Sequence, residues 1–142
     1  MVRTARFADL DPTTLYALLR LRVDVFVVEQ RCPYPELDGR DLEPDTRHLW
    51  LERAGTPVAY LRILTEPDGA ARIGRVVVAP AHRGQGLARR LLTEALAQLS
   101  GHRCVLAAQT YLVDFYASFG FAPVGDEFLE DGIPHISMRR PG

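Results

Sequence analysis

The sequence predicts an α/β or α+β domain built on a mixed sheet, and three observations carry that expectation. The stretch from Ile73 to Ala108 reads as strand, helix, strand, a unit whose two strands lie parallel with a right-handed crossover. Turn signals at Ala54-Gly55-Thr56-Pro57 and at Asp131-Gly132 mark hairpins towards either end of the chain, and hairpins bring antiparallel pairs. The chain of 142 residues shows no internal repeat, linker or low-complexity tract, so residues 1–142 are read as a single domain. A domain of that size buries roughly two-thirds of its unfolded surface.

The elements follow in order. Val2 to Phe7 makes a short first strand. Asp11-Pro12 is a helix start: the carboxylate accepts from early amides, and proline suits the first helical position. Leu15, Leu18, Leu19, Val25 and Phe26 then recur at helical spacing, which carries the helix to about Glu29. Arg31 to Asp45, rich in proline and acid, reads as a long ordered loop. His48 to Glu52 and Val58 to Leu64 are strands, and a turn at Pro67-Asp68-Gly69 leads into a fourth, Ala71 to Val78. Gly84 to Leu99 is a helix with Leu87, Leu91, Ala95 and Leu99 on one stripe, ended by Gly101. Arg103 to Ala108 is largely apolar and so is placed centrally. Leu112 to Phe119 is a short helix closed by Gly120, and Val124 to Leu129 with Ile133 to Met138 form the last hairpin.

Composition narrows the class. Hydrophobic residues at 47% and charged residues at 25% are ordinary for a folded domain and exclude a disordered chain. A net charge of −1 gives no global pull towards nucleic acid or an anionic membrane. No apolar run approaches bilayer length, and Met1 to Leu10 has no hydrophobic signal core, so the expected location is cytoplasmic. Cys32 and Cys104 have neither zinc-ligand spacing nor a CxxC arrangement, so no metal site is expected and both are read as structural.

The turn Arg83-Gly84-Gln85-Gly86-Leu87-Ala88 carries the chemistry. Glycines let backbone approach a ligand closely, and the first amides of the following helix lack intrahelical partners at the positive end of its dipole. Together these make an anion site, with His82, Arg89 and Arg90 adding donors nearby. A P-loop is excluded because the chain contains no lysine. The dinucleotide fingerprint fails because Arg89 stands at its third glycine and no acid follows at the required distance. The competing reading is a plain tight turn with a solvated basic rim.

The stretch VVVAPAHRGQGLARRLL resembles the acetyl-coenzyme A signature of the GNAT N-acetyltransferases, at Val78, Pro80, Arg83, Gly86 and Ala88. A second block, Gln109, then Phe115-Tyr116, then Gly120-Phe121, is similar to the family's asparagine, tyrosine, Gly-Phe block, with glutamine in place of the commoner asparagine. The stretches LRLRVDVFVVEQRCPYPELDG, Thr46-Arg47-His48 and EDGIPHISM look like the ElaA-like branch of that family. The resemblance implies a largely antiparallel mixed sheet of about seven strands, flanked by helices, with its central parallel pair splayed to hold coenzyme A. It implies transfer of an acetyl group from acetyl-coenzyme A, as co-substrate, to a primary amine of a small molecule or peptide within a ternary complex.

The resemblance also implies roles. The Val76 amide polarises the thioester carbonyl as a small oxyanion site. The backbone of Val76, Val77 and Val78 pairs with the peptide-like pantetheine arm. The amides of Arg83, Gly84, Gln85, Gly86, Leu87 and Ala88 take the pyrophosphate, with Gln109, Phe115 and Tyr116 completing the set. Tyr116 is the general acid that protonates the departing thiolate. Without chemistry, VVV is a buried strand and Tyr116 a core residue beside Phe115 and Phe119.

The acceptor side is less determined. A primary amine of pKa ~10.4 is neutral in only about one molecule per thousand near pH 7.4, so deprotonation needs help. Candidate bases are Glu29, Asp38, His48 and His135, and for both histidines a structural role is the alternative. Arg22 falls on the apolar helical face and needs acid partners. The loop supplies Glu36, Asp38, Asp41, Glu43 and Asp45, which cannot all pair with one guanidinium. The expectation is therefore a loop pinned by Arg22 that walls the acceptor site, with acids such as Glu36 or Glu43 left free to attract a cationic amine. Two other functions stay open. An acyl-homoserine lactone synthase has an Arg-x-x-Val-Phe helix, here Arg22 to Phe26, but lacks so clear a turn. A non-catalytic coenzyme A sensor keeps the turn and dispenses with Tyr116. The oligomeric state is open, a homodimer included.

Overall fold

The computed structural model describes every residue, Met1–Gly142. Seven strands form one sheet: β1 (Arg3–Ala5), β2 (Arg47–Arg53), β3 (Thr56–Thr65), β4 (Ala71–Val78), β5 (Cys104–Gln109), β6 (Ala122–Glu130) and β7 (Ile133–Arg140). Their order is β1-β2-β3-β4-β5-β7-β6. Every neighbouring pair is antiparallel except β4 and β5, which are joined by the crossover helix α2 (Leu87–Gln98).

Strand alternation divides the core between the two faces. Trp50, Tyr60 and Val77 point to one face and pack against Leu18, Leu21 and Val25 of the N-terminal helical segment. Leu49, Leu51 and Leu61 point to the other and pack against Leu87, Leu91, Leu92 and Ala95 of α2. Helices thus cover both faces of the sheet. Leu91 and Leu92 are fully buried, and truncating either to alanine costs about 2–5 kcal/mol by the usual cavity penalty.

Several element boundaries differ from the sequence reading, and two of them bear on the site. The first helix is α-helical only over α1 (Pro12–Val23), capped by the Asp11 carboxylate accepting from the Thr14 amide at 2.8 Å. It widens into a π-helical turn over Asp24–Glu29, where Val25, Val27 and Val28 are β-branched and crowd a tight α turn. The helix expected from Gly84 begins at Leu87. Gly84 (φ 79°) and Gly86 (φ 74°) are left-handed, a conformation that cannot continue into a right-handed helix. After β5, a 3₁₀ turn at Thr110–Leu112 precedes the short α3 (Val113–Ala117).

One irregularity positions everything that follows. The parallel pair β4–β5 is in register only at Ala71–Cys104 and Arg72–Val105. Beyond that, β5 keeps its antiparallel partner β7 along its whole length, while β4 parts from it. On its other side β4 stays with β3, through a register shift between Tyr60 and Arg62 that places Arg75 at φ 54°.

Candidate active site

Two cavities meet where β4 and β5 separate. The larger, about 390 Å³, lies among β3, β4, β5, β7 and the loop before β2. The smaller, about 350 Å³, follows Val76, Val77 and Val78 towards Arg83 and Ala88. They share Phe26, Gln30, Val76, Gln109, Leu112 and Tyr116. The split in the sheet therefore joins a groove beside the glycine turn to a chamber lined by acid, arginine and histidine.

At the turn, conformation rather than crowding requires glycine: a Cβ added at Gly84 or Gly86 meets nothing within 4 Å, but both residues have positive φ. Gly86 supplies no capping side chain, and α2 has no acid in its first turn. Its first amides stay free at the positive end of the dipole, a fitting cradle for a pyrophosphate. Arg83 does not stand idle beside it. Its guanidinium donates to both oxygens of Glu29 at 2.7 and 2.8 Å, and Nε donates to the Val78 carbonyl at 3.1 Å. Arg83 holds the Glu29 carboxyl below its ordinary pKa. Arg89 sits 4.8 Å over the Phe119 ring and 5.4 Å over that of Phe115 in α3, bracing α2 against that helix.

Tyr116 is 6% exposed, edge-on to Phe115 at 5.2 Å, and borders both cavities. Burial pushes its hydroxyl up to about 12, so it remains protonated through the neutral range. Packing and an accessible proton thus coexist in one residue.

The acidic loop departs from expectation. Arg22 is 1% exposed and donates to Glu36 at 2.7 Å and Asp41 at 2.8 Å, so it does pin the loop. The remaining acids are not free, because other arginines reach them. Glu36 also takes Arg75 at 2.8 Å, and Asp38 takes Arg62 at 2.9 Å. Arg62 also reaches Asp41 at 3.1 Å, Arg40 reaches Glu43 at 3.1 Å, and Arg6 reaches Asp45 at 3.3 Å. The expected unpaired acids Glu36 and Glu43 are therefore both paired. Burial opposes ionisation of Asp38 and Asp41, but their arginine hydrogen bonds and charges outweigh it and hold both carboxyls below the usual range.

The four candidate bases are scattered. His48 is buried at 2% exposure outside both cavities, its Nδ1 2.7 Å from the Tyr60 hydroxyl and its Nε2 3.2 Å from the Asp41 carbonyl. Burial lowers its pKa. Arg22 likewise lines neither cavity. Glu29 lies in the groove, and Asp38 and His135 in the chamber. Arg62, Arg75, Tyr34, Glu130 and Asp131 also line the chamber and escaped the sequence reading. Arg62 carried a signal, a charge inside the apolar run Val58 to Leu64; the others acquire meaning only from the fold. No group of three His, Cys, Asp or Glu is placed to hold a metal ion.

Solved structures share this fold. An acyl-CoA N-acyltransferase from Pseudomonas aeruginosa matches at 47% identity and a TM-score of 0.93, over 99% of this chain and 98% of that one. Escherichia coli ElaA matches at a TM-score of 0.92 and, by sequence, at 45% identity over 139 residues, 94% of this chain and 91% of ElaA. A UPF0039 protein of Mycobacterium tuberculosis is 54% identical over 138 residues, 94% of this chain and 88% of its own length. At 19% identity, a coenzyme A-dependent acyl-homoserine lactone synthase shares the fold alone, with a TM-score of 0.81. The class defined by this sheet and these neighbours is the acyl-CoA N-acyltransferase fold. Residues 21–141 match the model of the acetyltransferase (GNAT) domain, and the chain belongs to the GNAT acetyltransferase family.

Proposed function

We propose that the protein is an acetyl-coenzyme A-dependent N-acetyltransferase that acylates a primary amine of a small molecule or peptide by direct transfer in a ternary complex. One observation carries the reading: β4 leaves β5 after Arg72, and Val76 and Tyr116 lie in the wall shared by a groove and a chamber. The groove suits the donor. Backbone of Val76, Val77 and Val78 offers strand-like pairing to pantetheine, and the amides from Gly84 to Ala88 offer a pyrophosphate cradle. Gln109 and Phe115 close the groove around the thioester. The Val76 amide then faces the developing oxyanion, and Tyr116 gives its proton to the leaving sulfur.

Within the acyl-homoserine lactone reading, Arg22 would matter as a motif residue. Here it is consumed by Glu36 and Asp41, which explains its position without a substrate. A sensor has no use for a protonated phenol in the shared wall. No helix is long and apolar enough to cross a membrane, and the proposed setting is the cytoplasm.

Two variants test the reading. Gly86→Glu places a side chain at positive φ and a negative charge in the cradle, and calorimetry should show loss of coenzyme A binding in a folded protein. Tyr116→Phe keeps the ring packing, so binding should persist while turnover falls about 10²-fold, the low end for a general acid. Unchanged affinity in the first variant moves the donor site elsewhere; unchanged turnover in the second makes Tyr116 a packing residue.

A further inference from the structure

We propose that His135 is the general base of this transfer, a proposal that rests on the acetyltransferase reading above. The acceptor arrives as an ammonium and must lose a proton before its nitrogen can attack. Glu29 spends both oxygens on Arg83, and Asp38 is engaged by Arg62 and Arg75. His48 has both ring nitrogens occupied and faces neither cavity. His135 differs from all three.

It stands on β7 opposite Gln109 of β5, at the mouth of the split, and lines the chamber together with Val76 and Tyr116. Its Nδ1 is 2.7 Å from the Ile133 carbonyl oxygen. A carbonyl only accepts, so Nδ1 carries the hydrogen, and in the neutral ring Nε2 keeps its lone pair. Glu130 lies 3.5 Å from Nε2, within ion-pair distance of the ring. The ring is 8% exposed and stacks on Phe128 at 6.0 Å, which fixes the direction of that lone pair.

The surrounding charges agree. On the hairpin, Glu130 and Asp131 face the chamber without an arginine partner. Across it, Arg62 and Arg75 are neutralised by Asp38 and Glu36, and Arg72 by Glu66. Tyr34 gives its hydroxyl hydrogen to Glu36, and Cys32 its thiol hydrogen to the Asp131 carbonyl. The field nearest Nε2 is thus that of Glu130 and Asp131.

The step balances. Nε2 takes one proton from the ammonium and passes it to solvent. The freed nitrogen pair bonds to the thioester carbonyl carbon, and the carbon–sulfur bond breaks with its pair leaving on sulfur. Tyr116 protonates that sulfur, and the second proton of the former amine restores Tyr116. The net products are an amide, a thiol and one released proton.

The test compares wild type with His135→Ala and His135→Gln, using acetyl-coenzyme A with spermidine, tyramine and a lysine-containing peptide. Turnover should fall by about 10²-fold or more while coenzyme A affinity by calorimetry is unchanged. The rising limb of the pH–rate profile should move to higher pH, where the acceptor loses its own proton to water, and free imidazole should restore part of the rate in the alanine variant. A folded variant with wild-type turnover and an unshifted rising limb overturns the proposal, as does a loss of rate without imidazole rescue and with the limb unshifted. A wild type that binds acetyl-coenzyme A but acylates none of these amines removes the transferase reading and the base with it, an outcome read without any variant.

Discussion

The loop from Arg31 to Asp45 and the hairpin of β6 and β7 both bring acids towards the chamber, in opposite electrostatic states. In the loop each of Glu36, Asp38, Asp41, Glu43 and Asp45 meets an arginine. On the hairpin Asp126, Glu127, Glu130 and Asp131 have a single ionic partner, His135 beside Glu130. Every residue of β6 is exposed, Asp126, Glu127 and Glu130 among them, and Asp131 follows in the turn to β7. The difference shows that counting acids locates no field. Pairing turns the loop into a rigid wall, and the lack of pairing leaves the hairpin as the source of negative potential at the chamber.

The largest effect should come from breaking the paired side. Arg22→Ala takes one of two arginine partners from each of the buried acids Glu36 and Asp41, leaving them Arg75 and Arg62, and denaturant unfolding should show a loss of about 3 kcal/mol, the low end for a broken buried pair. A loss below about 1 kcal/mol would show that the loop is held by something else. Next comes pH. Burial lowers the pKa of His48 in the folded state, so it takes up a proton less readily there than in the unfolded chain. As pH falls below the ordinary histidine value of ~6.5, the unfolded chain binds a proton that the folded chain refuses, so stability should decline. Asp38 and Asp41, with lowered pKa values, contribute stability above the usual carboxylate value of ~3.9 and lose it as pH falls further. His48→Gln should flatten the upper part of that decline; an unaltered stability curve would exclude His48 as its cause. The smallest effect belongs to the unpaired side. Asp131→Asn should raise the acceptor KM about threefold, roughly 0.7 kcal/mol for a solvated charge, and less at high salt. Glu43→Gln, on a paired acid, should leave KM alone. Equal responses from loop and hairpin would erase the comparison.

How much of this was legible depended on the range of the interactions. β4 runs from Ala71 to Val78 as its apolar pattern says, and the strand-turn-helix around Gly84 and Gly86 was readable because local backbone chemistry determines it. The π-helical turn was not, because Leu15 to Phe26 keep helical spacing whether the turn is α or π. The loop's pairing was misread for a different reason. Arg62 and Arg75 lie 24 and 37 residues from Asp38, and only sheet registry brings them to it. Glu130 and His135 are close in sequence, yet what gives them a setting is the adjacency of β7 and β5.

The parting of β4 from β5 has a consequence for how such a protein can change. On the proposed reading, the donor is gripped mostly by main-chain amides along Val76 to Val78 and Gly84 to Ala88. Substitutions that keep the strand and the two left-handed glycines cannot remove those groups. The acceptor meets side chains from the loop, from β3 and β4, and from the hairpin, any of which one substitution can alter. A lineage built on this sheet can therefore exchange one amine for another by single mutations while its acyl donor stays the same.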